Sequence, residues 1–143
     1  MKIIYCWIIF IYRHKKENIE ILLFSKDKKK YEPIYWEGKT FEKARNYLHR
    51  FLGLEKKDFY ISRDVDWCSS LSVGDGDKVM YKISASVAKI HNNIRINIPN
   101  NYKHMGWYDK KTAYELLKNW KGYTRSFKKI FKNDTFWESV ETE

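Results

Sequence analysis

The spacing of apolar and polar residues changes along the chain, and each change predicts an element. Residues 3–12 are nearly continuous in β-branched and aromatic side chains, the pattern of a central strand covered on both faces. Charged residues 13–18 make a turn, and 19–24 return as a second strand. Residues 25–37 form a loop, with Lys26, Lys28, Lys29 and Lys30 beside Tyr31, Tyr35 and Trp36. In 35–54 the period becomes helical. Phe41, Ala44, Leu48, Phe51 and Leu52 form one apolar stripe, Thr40 is suited to cap the helix, Glu42 to its first turn, and Gly53 to the left-handed position that ends it.

Residues 59–67 alternate as a strand. Residues 69–77, which contain Gly74-Asp75-Gly76, read as a hairpin turn, because a phosphate-cradling glycine loop needs a following helix and none follows. Val79, Tyr81, Ile83, Ala85 and Val87 alternate with Met80, Lys82, Ser84 and Ser86, so one face of that strand is buried. A turn at 91–93 leads to an edge strand at 94–98, which Pro99 ends. Asp109 is placed to cap a helix over 110–120, with Ala113, Leu116, Leu117 and Trp120 inward. After Gly122 a last helix over 123–131 turns Phe127, Ile130 and Phe131 inward.

Composition narrows the class. At 143 residues with 17% aromatic content the chain is expected to form one compact domain over 1–132, followed by a short acidic tail at 133–143. Lys and Arg number 28 against 18 Asp and Glu, a formal charge of +10, which favours a polyanionic partner. The excess concentrates late: 109–132 carries eight cations against Asp109 and Glu115. Cys6 and Cys68 stand in no metal-ligand spacing with His14, His49, His91 or His104, so zinc is not expected, and reduced thiols fit an intracellular, cytoplasmic protein. The apolar run at 3–12 is too short to span a bilayer, and no small-residue cleavage site follows it.

Two apolar strands, a loop, a helix and then Gly53-Leu54 resemble the signature region of the Nudix hydrolase fold, and the chain as a whole is most similar to its diadenosine tetraphosphate hydrolase branch. The resemblance covers about residues 3 to 131 and extends to the Trp107 strand with its capping Asp109. It implies an α/β (α+β) domain: an α/β/α sandwich with a mixed central sheet, a helix after the third strand region, and C-terminal helices. The family's box runs Gly, five residues, Glu, seven residues, then Arg-Glu-apolar-x-Glu-Glu-x-Gly-apolar. Aligned by its end, the box places Gly53, Leu54 and Leu48 on matching positions, but its opening Gly falls on Glu32, its first Glu on Gly38, its Arg on Asn46, and its three helix Glu on Tyr47, Arg50 and Phe51.

In the family those carboxylates hold a divalent metal that polarises phosphate and activates water. A guanidinium facing a dication at about 4 Å and an effective dielectric near 20 costs roughly 8 kcal/mol before relaxation. From this the chain is expected to have no catalytic residues, no metal, no cofactor and no enzymatic activity. Three roles remain open. The first is a monomeric factor that binds RNA or a ribosome or other ribonucleoprotein, through Lys26, Lys28, Lys29 and Lys30 and through Lys118, Lys121, Arg125, Lys128 and Lys129. The second is a metal-independent binder of a nucleotide or dinucleoside polyphosphate, with Tyr35, Tyr47, Arg50 and Tyr81 as cleft residues. The third is an active hydrolase using carboxylates outside the box, such as Glu32, Glu37, Asp64 or Asp66.

Overall fold

The computed structural model describes residues 2–37, 44–61, 66–74, 77–91 and 94–118. Its frame is a pair of 14-residue strands, β1 (Lys2–Lys15) and β7 (Asp77–Ile90), which run parallel in register from Lys2 opposite Val79 to Tyr12 opposite Lys89. All other pairings among the described residues are antiparallel. The far edge of β1 is shared by β2 (Asn18–Ser25), opposite Ile11 to Lys15, and β4 (Ile34–Glu37), opposite Cys6 to Ile9. β2 in turn carries β3 (Tyr31–Glu32) and β8 (His104–Asp109). The free edge of β7 takes β5 (Phe59–Ile61) and β6 (Asp66–Gly74), completing an eight-stranded mixed sheet.

The two faces of the sheet are covered separately. On β1, Cys6, Ile8, Phe10 and Tyr12 point to one side and pack with Ala113 and Leu117 of α2 (Lys110–Leu117). Ile9 and Ile11 point to the other, where Leu22, Phe24 and Ile34 meet Leu48 and Leu52 of α1 (Ala44–Leu52). This alternation on a strand buried on both sides explains the unbroken apolar run of the sequence. Leu48 and Leu52 are fully buried, worth roughly 1.5–3 kcal/mol each as burial of a Leu side chain.

Two of the helix ends read from the sequence are present, Gly53 and Asp109. Gly53 adopts φ +70 and donates to the His49 carbonyl at 3.0 Å, the left-handed stop expected of it. The Asp109 carboxylate accepts from the Thr112 amide at 2.7 Å and caps α2, and that backbone N–H holds its carboxyl below the usual range.

Several expected boundaries are corrected. The loop over 25–37 contains β3 and β4, because Phe24 to Ser25 and Cys6 to Ile9 offer unpaired edges to it. The strand over 59–67 is two elements, β5 and the start of β6, and β6 continues to Gly74, so residues 69–74 of the expected turn are strand. Residues 94–98 are not an edge strand. Their polar groups go to a helix end instead, the Asn97 amide donating to the Leu52 carbonyl at 3.3 Å while its side chain lies against Gly53. Phe51, placed in the buried stripe, is 39% exposed, and Tyr47 is turned inward in its place. Thr40, Phe41, Trp120, the helix over 123–131 and the tail lie outside the described residues. Among the described residues no helix is long and apolar enough to cross a membrane.

Candidate functional site

On the α1 side of the sheet, aromatic rings stack from the sheet outward. β4 places Trp36 opposite Trp7 of β1, with ring centroids 6.3 Å apart. Tyr47 of α1 lies flat on Trp36 at 4.0 Å and 11°, and Phe51, one helical turn on, lies on Tyr47 at 4.2 Å. The Arg50 guanidinium sits 4.8 Å from the Phe51 ring centre, at the exposed end of the column. A spacing of four residues on a helix is what puts Tyr47 and Phe51 on one face, and offset stacks of this kind contribute about 0.5–1.5 kcal/mol each beyond their buried area. The Trp36 Nε1 donor is buried, with no acceptor among the described residues.

Beside this column lies a carboxylate. Glu32 follows Ile34 and Trp36 in pointing to the α1 side, since β3 pairs it with the core residue Phe24. It is half-buried and lies beside the hydroxyl of Tyr102, which stacks on Phe24 at 5.4 Å. Burial first, and then Glu32, push the Tyr102 phenol well above its ordinary value, with Tyr47 close enough to contribute.

The other expected positions scatter. Tyr35 faces α2, where its hydroxyl donates to Glu37 and lies 3.7 Å from Cys6 Sγ. Burial and then Glu37 raise its pKa well above normal. Tyr35 and Tyr47 therefore do not share a cleft, and Glu37 goes with Tyr35. Tyr81 lies on β7 between Ile4 and Ser70 in register. Asp66 pairs with Ala85, and Asp64 is outside the described residues. Lys26, Lys28, Lys29 and Lys30 are all exposed, on a loop folded by Asp27, whose carboxylate accepts from the amides of Lys29 and Lys30 at 2.9 and 3.2 Å. Lys118 is exposed and paired with Glu115 at 2.9 Å, while Lys121, Arg125, Lys128 and Lys129 lie outside the described residues. Sequence reasoning missed Tyr102 and the joint role of Trp36 and Phe51. The spacing of Tyr47 and Phe51 was the available signal.

The sandwich so built, a mixed sheet between α1 and α2 with Gly53 stopping α1, is the Nudix hydrolase fold. The chain is similar over 88% of its length to an Ap4A hydrolase binary complex from C. elegans, 93% of which is covered, at TM-score 0.66 and 16% identity. A Nudix hydrolase structure from Listeria monocytogenes aligns at TM-score 0.63 and 11% identity, over 90% of this chain and 92% of that one. The Nudix domain of Shewanella oneidensis NrtR, complexed with ADP ribose, aligns at TM-score 0.51 and 9% identity, over 80% of this chain and 77% of that one. No protein-family sequence profile and no curated protein sequence matches the chain.

These likenesses correct one expectation. Aligning the box on Gly53 and Leu54 had implied a chain that is not an enzyme, whereas the structures of an Ap4A hydrolase and a Nudix hydrolase share its fold over 88% and 90% of its length, so the fold points to a hydrolase scaffold. The family's divalent metal is a separate matter. With the box aligned to end on Gly53 and Leu54, its three helix Glu fall on a phenol, a guanidinium and a phenyl ring, and among the described residues no group of three His, Cys, Asp or Glu could hold an ion. The residues described do not fit that metal.

Proposed function

We propose that the chain binds a nucleoside or dinucleoside polyphosphate on the α1 side of its sheet, and that Glu32 is the carboxylate available there for hydrolysis of a phosphoanhydride. The observation that carries this reading is the Trp36–Tyr47–Phe51 column, ended by Arg50 and flanked by Glu32 on Tyr102. Aromatic faces take a nucleobase by stacking, and a guanidinium takes phosphate oxygens through paired charge-assisted hydrogen bonds. In the reaction a water oxygen attacks phosphorus, its proton passes to Glu32, and the anhydride P–O bond breaks with its electrons on the leaving phosphate. An Ap4A hydrolase and an ADP ribose complex among the similar structures support a ligand of this class. Titration of isotope-labelled protein with diadenosine tetraphosphate, followed through backbone amide shifts, tests it. The reading expects shifts at residues of β4, α1 and 101–103, and a spectrum unchanged at millimolar ligand rejects it.

A second reading, binding of RNA or a ribonucleoprotein, is supported by the exposed Lys26 to Lys30 loop, which runs directly into Glu32, and by the net charge of +10. Phosphate neutralisation by several lysines makes affinity fall steeply with salt. Reversing the charge of Lys26, Lys28, Lys29 and Lys30 together should abolish co-sedimentation with RNA at low salt. A wild-type chain that stays unbound at low salt would remove this reading.

A further inference from the structure

Resting on the nucleotide reading, we infer that divalent cations act at this site as competitors of the protein, weakening polyphosphate binding instead of enabling it. The inference comes from the disagreement between the fold's metal requirement and the residues present. Positions that would present carboxylate oxygens present Tyr47 and Phe51, each closed by ring stacking at 4.0 to 4.2 Å, so neither position holds an oxygen donor suited to a hard dication. The charge of the helix is of the opposite kind. α1 contains no Asp or Glu, and its exposed residues include the cations Arg45 and Arg50, with Glu55 beyond its C-terminal end. A surface of that sign serves a polyphosphate in place of a metal.

The consequence is a sign that can be read directly. Mg²⁺ bound to ATP removes two of its negative charges and occupies the β and γ oxygens that a guanidinium would grip in paired hydrogen bonds. For a site built from carboxylates this is the condition for binding. For a site built from Arg50 beside an aromatic column it is a loss, because the free anion is the better partner.

The test is calorimetric titration of the full chain with ATP in EDTA and in excess Mg²⁺, at matched ionic strength so that general screening is equal. Affinity is expected to be about fivefold or more weaker in Mg²⁺, the direction set by the reduced ligand charge. Arg50→Gln should lower affinity in EDTA about tenfold and remove most of the Mg²⁺ effect, as loss of a charge-assisted pair implies, while Arg50→Lys retains part of both. Amide spectra of each variant verify folding. Binding equal or tighter in Mg²⁺ overturns the inference and leaves the nucleotide reading standing. Binding absent under both conditions overturns the two together.

Discussion

At the residue scale the informative comparison is between two glutamates five positions apart. Strand alternation sends Glu32 to the α1 side, beside Tyr102, and Glu37 to the α2 side, where Tyr35 donates to it. Both were open candidates in the sequence, because their strands are short and lie in what reads as a loop. Only the pairing of Phe24 with Glu32 and of Cys6 with Glu37 assigns their faces. Glu32→Gln is therefore expected to lower turnover of diadenosine tetraphosphate about 10²-fold or more, the usual scale of a general base, while Glu37→Gln changes it less than about threefold. Equal losses in the two variants would place the chemistry elsewhere. Tyr102 was illegible for another reason: its partner Glu32 is 70 residues away in the sequence, and no local pattern reports such a contact.

The element that mattered most, α1, was legible in its ends and half legible in its face. Gly53 at φ +70 and the buried Leu48 and Leu52 follow from helical spacing and the left-handed stop. Phe51 does not, because its ring is drawn outward onto Tyr47, and Tyr47 is drawn onto Trp36 of a strand that the sequence did not reveal. Stacking across two elements overrode the simple apolar stripe. Tyr47→Ala removes both of these stacks and leaves a gap between sheet and helix, and it should cost about 2–4 kcal/mol in chemical denaturation. Tyr47→Phe keeps the rings and should cost under about 1 kcal/mol. A Tyr47→Ala variant as stable as the parent would mean that the column does not tie α1 to β4.

On the scale of the whole molecule, β1 and β7 were readable as strands because their apolar patterns are long, whereas their parallel pairing joins segments far apart in the chain and left no local mark. The site was less readable, since it is assembled from β3, β4, α1 and the segment before β8, each too short or too irregular to announce a role. Charge adds a second layer. A net +10 chain attracts any polyanion, screening at physiological ionic strength confines that attraction to about 8 Å, and position on the sheet separates a site from general attraction. The most direct measurement is the amide map of the labelled protein titrated with diadenosine tetraphosphate. The account predicts the largest shifts at Trp36, Tyr47, Arg50 and Tyr102, with little change at Tyr108 and Tyr114 on the α2 side. Shifts centred on the α2 side, or no shifts at millimolar ligand, would contradict it.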